Sequence, residues 1–259
     1  MPKILMDGQK ISKYFGGLTA VDELSFTLAE SEILGVIGPN GAGKTTVLNM
    51  IAGNILASKG KIYFKGKDIT GLPPHKRAEE GIARVFQQDI LFESFSILEN
   101  VLVGVLLHTP TRFVNRFSHK HALHAKHIPI YDKALEILKL VSLYGNEKEL
   151  AVNLPHGKKR LLSLAIALAT QPNLLLLDEP LTGMNAEEVR TMVDMIQQLR
   201  SRMGMTIIVV EHNLKAILGV CDRIIVLNFG QKLAEGIPAE ITKNAEVIRA
   251  YLGTEQNAF

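Results

Sequence analysis

Apolar residues recur along this chain with two different periods. Residues 33–37, 174–177 and 206–210 are short, nearly continuous runs of branched apolar side chains. Runs of that length predict strands buried on both faces, as in a parallel sheet. Residues 47–52, 161–170, 186–203, 214–220 and 246–252 instead carry apolar side chains at helical spacing. Residues 223–227 and 231–234 predict two strands joined by an Asn228-Phe229-Gly230 turn. Strands alternating with helices place the chain in the α/β class.

The flanking segments refine this picture. Residues 8–30 read as short β-type pieces, with Tyr14-Phe15-Gly16-Gly17 as a turn carrying two aromatics and 21–28 as a half-buried strand. Residues 60–66 predict a strand and a hairpin turn, and Pro73-Pro74 opens a short helix reaching Glu80. Residues 82–88 predict a strand ending in two amides, Gln87 and Gln88. From there to about residue 160 the character changes: 97–107 and 132–143 have helical periodicity, with a basic, histidine-bearing piece between them. This section reads as a helical insert in an otherwise α/β chain, and no internal repeat is present.

Composition adds bounds. The 259 residues are 47% hydrophobic and 21% charged, ordinary for a soluble globular protein, and long enough to bury a proper core. A formal charge of +3 does not by itself imply a nucleic-acid partner, and none is expected. The one cysteine, Cys221, excludes an internal disulfide, fits a reducing compartment and reads as structural. No apolar stretch approaches the length needed to span a bilayer, and the N-terminus lacks a secretory apolar region. The protein is expected in the cytoplasm, reaching a membrane only through a partner or its surface.

The strongest chemical signal is Gly38-Pro39-Asn40-Gly41-Ala42-Gly43-Lys44-Thr45-Thr46, placed between a predicted buried strand and a predicted helix. That context is what the G-x-x-x-x-G-K-[ST] pattern requires. Glycines let the loop wrap a phosphate closely, backbone N–H groups point at the anion, and the new helix adds its positive end. Lys44 can reach the β- and γ-phosphates, and the Thr45 hydroxyl can ligate Mg²⁺. The chain is expected to bind a nucleoside triphosphate.

Asp178 follows four apolar residues, as the Mg²⁺-holding aspartate of phosphate-loop ATPases does, on a strand expected beside the phosphate-loop strand. Glu179 can polarise a water for attack on the γ-phosphate. His212, at the end of the next buried strand, is suited to a γ-phosphate hydrogen bond.

These residues resemble one family closely, the ATP-binding-cassette ATPases, and the resemblance covers essentially the whole chain. Phe15 looks like the aromatic that stacks on adenine. Gln87 is similar to the glutamine that contacts Mg²⁺ and the attacking water and links two subdomains. Leu154-Pro155-His156-Gly157-Lys158 stands where the family signature stands, Leu181-Thr182-Gly183-Met184-Asn185 resembles the dimer-contact loop, and His212 the switch histidine. The resemblance implies a phosphate-loop NTPase (RecA-like) core with an antiparallel β subdomain and an inserted α-helical subdomain. The core with its β subdomain is expected over 1–92 and 161–259, and the helical subdomain with its signature-like loop over 93–160. It implies ATP and Mg²⁺ as cofactors, with Glu179, His212, Gln87 and Lys44 catalytic, Thr45, Gln87 and Asp178 on the metal, and Phe15, residues 38–46, Gln87, Asp178 and His212 on the nucleotide.

Departures from the family pattern point further. The usual Leu-Ser-Gly-Gly-Gln signature retains only Leu154 and Gly157. Pro155 supplies neither hydroxyl nor N–H, so His156, Gly157 and Lys158 are what remains to act on ATP held by a partner subunit. Lys158-Lys159-Arg160 begins the next helix with three cations, either as an exposed basic turn or as a face toward an anion. Asn185 stands where many relatives have Asp. The loosened signature, the Gly-Met-Asn loop, the basic insert and the ending from Val247 to Gly253 resemble the ATPases of branched-chain amino acid and urea-type importers. Such importers commonly set two different ATPase subunits beneath two membrane permeases. That resemblance implies a peripheral place on the cytoplasmic face of the cell membrane, with membrane contact through the permeases. Branched-chain amino acid uptake is the expected function; a urea or amide importer and a non-transport cassette ATPase are the alternatives. His108, His119, His121, His124 and His127 mark the insert as a solvated basic surface by default, or a face toward anionic lipid.

Overall fold

The computed structural model describes residues 3–88, 90–106, 129–212 and 217–252. In chain order they form strands β1 (Ile4–Phe15), β2 (Leu18–Ala29) and β3 (Ile33–Ile37), then helix α1 (Lys44–Ala52). Strands β4 (Lys59–Phe64) and β5 (Lys67–Asp68), helix α2 (Pro74–Glu80) and strand β6 (Ile82–Val85) follow. Helices α3 (Ile97–Leu106), α4 (Pro129–Leu140) and α5 (His156–Ala169) lead to β7 (Leu174–Asp178), α6 (Ala186–Met203) and β8 (Thr206–Val210). The described chain closes with β9 (Arg223–Asn228), β10 (Gln231–Gly236), α7 (Pro238–Ile241) and α8 (Ala245–Leu252). The α/β class and both kinds of sheet are as the sequence implies.

Two compact units divide the chain, residues 1–87 with 173–259 and residues 88–172. In the first, an antiparallel sheet of order β2-β1-β4-β5 accompanies a six-stranded sheet of order β10-β9-β3-β8-β7-β6. Strands β9, β3, β8, β7 and β6 are mutually parallel, and β3, β7 and β8 are buried at every position. Helix α1 packs on β6, β7 and β8 on one side and on β2 on the other. Its Val47, Leu48, Met50 and Ile51 therefore share one core with both sheets, from Ile11 and Phe64 to Leu176 and Ile208. Cys221 is buried on the other face of the sheet, where a Cβ on Gly35 would lie 2.9 Å from its Sγ, which makes it a packing residue as expected.

The structure corrects one expectation of order. The strand carrying Asp178 is not beside the phosphate-loop strand: β8 lies between them, pairing with β3 on one edge and β7 on the other. Strand order in a parallel sheet is set by where the crossover helices pack, which no strand's own residues encode.

The first hairpin is also longer than its alternation suggests. β1 and β2 pair along their whole length, but register shifts between Gly8 and Ile11 and between Ile11 and Tyr14 break the period of two. Turn-like residues therefore sit inside long strands, with Lys10 and Glu23 at positive φ.

In the second unit, α5 packs against α3 and α4. A Cβ on Gly104 would lie 2.6 Å from the Ile166 carbonyl oxygen, so α3 and α5 cross at close quarters there. Because α5 is one continuous helix buried along that side, residues 161–172 belong to the helical unit, as do 88–92. The observed division thus differs from the expected boundaries at 92 and 161. The histidines between 107 and 128, and residues 214–216 of the helix expected at 214–220, lie outside the described residues.

Candidate functional site

The phosphate loop runs from the end of β3 into α1. Gly38 has φ 154, and a Cβ there would lie 2.2 Å from the Leu227 carbonyl oxygen. Gly43 caps α1 at φ 101, and its Cβ would lie 2.5 Å from the Ala20 carbonyl oxygen. Only glycine satisfies both demands at these two positions. Ala42 is buried beneath the loop, with its N–H donating to the Pro39 carbonyl and its carbonyl accepting from Gly230. Asn40, Gly41 and Thr45 are exposed, and Thr46 is half-buried. The first N–H groups of α1 lack intrahelical partners and face outward with the positive end of the helix.

Lys44 is 6% exposed, and its Nζ donates to the carbonyls of Gly38 at 2.8 Å and Pro39 at 2.9 Å. Burial pulls its pKa below the usual lysine value, and Glu179, Asp178 and Glu211 oppose that pull. A buried cation thus lies within reach of three carboxylates.

Asp178 ends β7, with its side chain 5% exposed. Its Oδ2 accepts from Arg84 Nη2 at 2.6 Å, while Oδ1 is buried with no hydrogen-bond partner. Glu179 follows at φ 48, a conformation sparsely populated by any residue but glycine, and its N–H is held by the Val210 carbonyl at 2.9 Å. That kink sends the Glu179 side chain out of the strand. Three groups converge on its Oε2: Gln87 Nε2 at 2.9 Å, Thr182 Oγ1 at 3.3 Å and His212 Nδ1 at 3.7 Å. Buried Glu211 braces the same turn, accepting from the Leu181 N–H at 2.8 Å and from the His212 N–H at 3.3 Å.

Phe15 lies at the tip of the β1–β2 hairpin, 47% exposed, with Lys13 Nζ 5.1 Å from its ring centroid. It is an open aromatic face and not a core residue. Arg84, Thr182 and Glu211 are the participants that reading the sequence for sites passes over. Arg84 carried a signal of its own, because a cation within a short apolar strand needs a partner.

A family model described as "ABC transporter" matches residues 21–182. The chain belongs to the ABC transporter family. A second model, "Branched-chain amino acid ATP-binding cassette transporter", matches residues 231–256 of the cassette. The cassette is 39% identical over 239 residues to the high-affinity branched-chain amino acid transport ATP-binding protein LivG of Salmonella typhimurium, covering 92% of this chain and 94% of LivG. It is 36% identical over 253 residues to the corresponding protein BraF of Pseudomonas aeruginosa, covering 98% and 99%. Among solved structures, the ADP conformation of MJ1267, an ATP-binding cassette of an ABC transporter, superposes with a TM-score of 0.84 at 30% identity, covering 96% of this chain and 99% of that one.

The signature-like loop of the cassette lies in the helical unit, where Pro155 is the N-cap of α5 at φ −63 and ψ 159, without a side-chain cap. His156 is exposed, Gly157 is buried, and Lys158 and Lys159 are half-buried. Arg160 is 3% exposed, so the three cations do not form one basic face: the helical turn carries the third inward. Asn185 has a local task. Its Oδ1 accepts from the N–H groups of Glu187 at 2.9 Å and Glu188 at 3.0 Å, and Glu188 returns a bond to the Asn185 N–H, completing a capping box for α6.

Proposed function

We propose that the chain is the ATP-hydrolysing subunit of an importer, energising uptake of branched-chain amino acids. The observation that carries the chemistry is the convergence of Gln87, Thr182 and His212 on one oxygen of Glu179, next to Asp178 and within electrostatic reach of Lys44. The phosphate-loop N–H groups and Lys44 bind the triphosphate, with Phe15 stacking on the base. Gln87 and His212 hold the Glu179 carboxylate beside the γ-phosphate, where it takes the proton of the attacking water.

The residues fit a hard divalent cation: Thr45 supplies a hydroxyl, Gln87 an amide oxygen, and Asp178 Oδ1 a buried carboxylate oxygen that has no other partner. Mg²⁺, which these residues would hold, would supply positive charge to offset that of the triphosphate.

The assembly we propose places this chain against a second cassette subunit beneath two permeases, on the cytoplasmic face of the cell membrane. No helix among the described residues is long and apolar enough to cross a membrane. His156, Gly157 and Lys158 act there on the partner's ATP, and the missing signature serine makes a different partner subunit the better match. Branched-chain cargo is supported by the match over residues 231–256 and by what LivG and BraF transport.

Glu179→Gln tests this reading. It keeps the shape and removes the base, so ATP still binds while turnover falls about 10²–10⁴-fold, and ATP-driven leucine uptake by reconstituted vesicles is lost with it. Wild-type hydrolysis in this variant would sink the assignment; intact hydrolysis without leucine uptake by the wild-type complex would sink the cargo.

A further inference from the structure

We infer that Arg84 is a positioning residue for the divalent-cation site: it holds one oxygen of Asp178 so that the other is left to the cation. The inference rests on the reading of Asp178 as a cation ligand. Arg84 sits on β6, the edge strand, opposite Leu176 in the parallel pairing with β7. Asp178 lies two residues beyond Leu176, on the same face of the strand.

The guanidinium is held on several sides. Nη2 donates to Asp178 Oδ2 at 2.6 Å, and Nη1 donates to Asn49 Oδ1 at 2.6 Å and Asn54 Oδ1 at 3.2 Å. Its Cζ lies over the Phe86 ring, 4.7 Å from the centroid. The Arg84 and Asp178 side chains are only 8% and 5% exposed, so salt and water screen the pair little. Two amide oxygens, an aromatic face and a carboxylate leave the planar fork one orientation, which a lysine ammonium cannot reproduce.

The effect falls on Asp178. With Oδ2 committed to Arg84, the carboxylate cannot swivel, and Oδ1 remains as a buried oxygen with no protein donor. Asn49 lies in α1, the helix whose first turn bears Thr45, so the same guanidinium ties Asp178 to the element bearing the second proposed oxygen ligand. Arg84 also balances one charge where Asp178, Glu179 and Glu211 all act on Lys44. The cation therefore meets a ligand already oriented, without first breaking an ion pair to Oδ1. Hydrogen-bonding partners of ligating carboxylates typically set metal affinity by 10–100-fold.

The test is metal binding by the full-length chain without turnover. Affinity for a fluorescent ATP analogue is measured at increasing Mg²⁺ and in EDTA, and Mn²⁺ binding is read directly from loss of its free electron-spin-resonance signal. Arg84→Gln is expected to raise the half-saturating metal concentration about tenfold, leaving nucleotide affinity in EDTA within about twofold. Arg84→Lys, which keeps charge but not the fork, should fall between. Asn49→Ala, which loosens the fork and leaves the ion pair, should shift the midpoint the same way by less, and serves if Arg84→Gln does not fold. An unchanged metal midpoint in folded Arg84→Gln overturns the inference, as does an equal loss of nucleotide affinity in EDTA, which would make Arg84 a strut for α1. Absence of any metal dependence in the wild type would instead overturn the reading of Asp178 itself.

Discussion

Lys44 illustrates how little a residue's resting contacts say about its task. Its ammonium donates to two loop carbonyls, Gly38 and Pro39, groups that a phosphate oxygen outcompetes for a cation. Burial lowers its pKa, and the three carboxylates Glu179, Asp178 and Glu211 oppose that shift. Lys44→Ala removes a buried cation from the proposed phosphate site. A charge-assisted hydrogen bond is worth roughly 1.5–3 kcal/mol, so ATP affinity should fall about 10–100-fold and turnover should vanish. Isothermal titration checks the first and phosphate release the second; wild-type affinity would remove Lys44 from the site. Glu179, the proposed base, holds a left-handed backbone that its own side chain does not favour. The Val210 carbonyl and the Glu211 carboxylate, both on or next to β8, maintain it.

At the scale of elements, α1 shows what holds the loop at its front end. The helix is nine residues long, marginal alone, and is stabilised by packing between two sheets. Its C-terminal carbonyls are met by Arg77, which is 1% exposed and donates to Met50 and Ile51 as well as to Leu72 and Thr70. Burial lowers the Arg77 pKa to about 10, which still leaves it charged at neutral pH. Arg77→Ala would strand these carbonyls in the interior. The expected loss is about 3–5 kcal/mol, a fall in melting temperature on the order of 10 °C. Calorimetry of the purified variant decides it; a melting point within a degree or two of wild type would show that the carbonyls find other donors.

Across the whole molecule, the C-terminal helix reports on the phosphate loop. Tyr251 on α8 is 7% exposed, and its phenol is pushed up to about 12 by burial, with the nearby Gly38 backbone pulling the other way. A group whose folded pKa lies above its unfolded value of 10.0 lends stability below pH 10 that drains away as pH rises toward 12. Wild type should therefore lose about 1 kcal/mol more between pH 9 and 11 than Tyr251→Phe in urea denaturation. Parallel curves for the two proteins would show that the phenol does not couple α8 to the loop.

Strands β3, β7 and β8, helix α6 and the phosphate-loop residues were all legible before any coordinates, because each depends on local pattern: a buried run, an amphipathic period, glycines where the backbone must turn. Asp178, Glu179 and His212 were legible for the same reason, as polar residues ending apolar strands. The placing of β8 between β3 and β7 was not, since sheet order follows from how crossover helices pack. Nor was the length of the first hairpin, whose bulges hide its alternation. Arg84, Glu211 and Arg77 were hidden for a common reason. A buried charge is defined by its partners, and these lie far away in sequence: Asp178 for Arg84, the Leu181 N–H for Glu211, the end of α1 for Arg77. Residue type and spacing therefore determined the chemistry proposed for the phosphate loop and the acidic pair. Only the tertiary structure decided which buried charges hold them in place, because that depends on which distant segments the fold brings together.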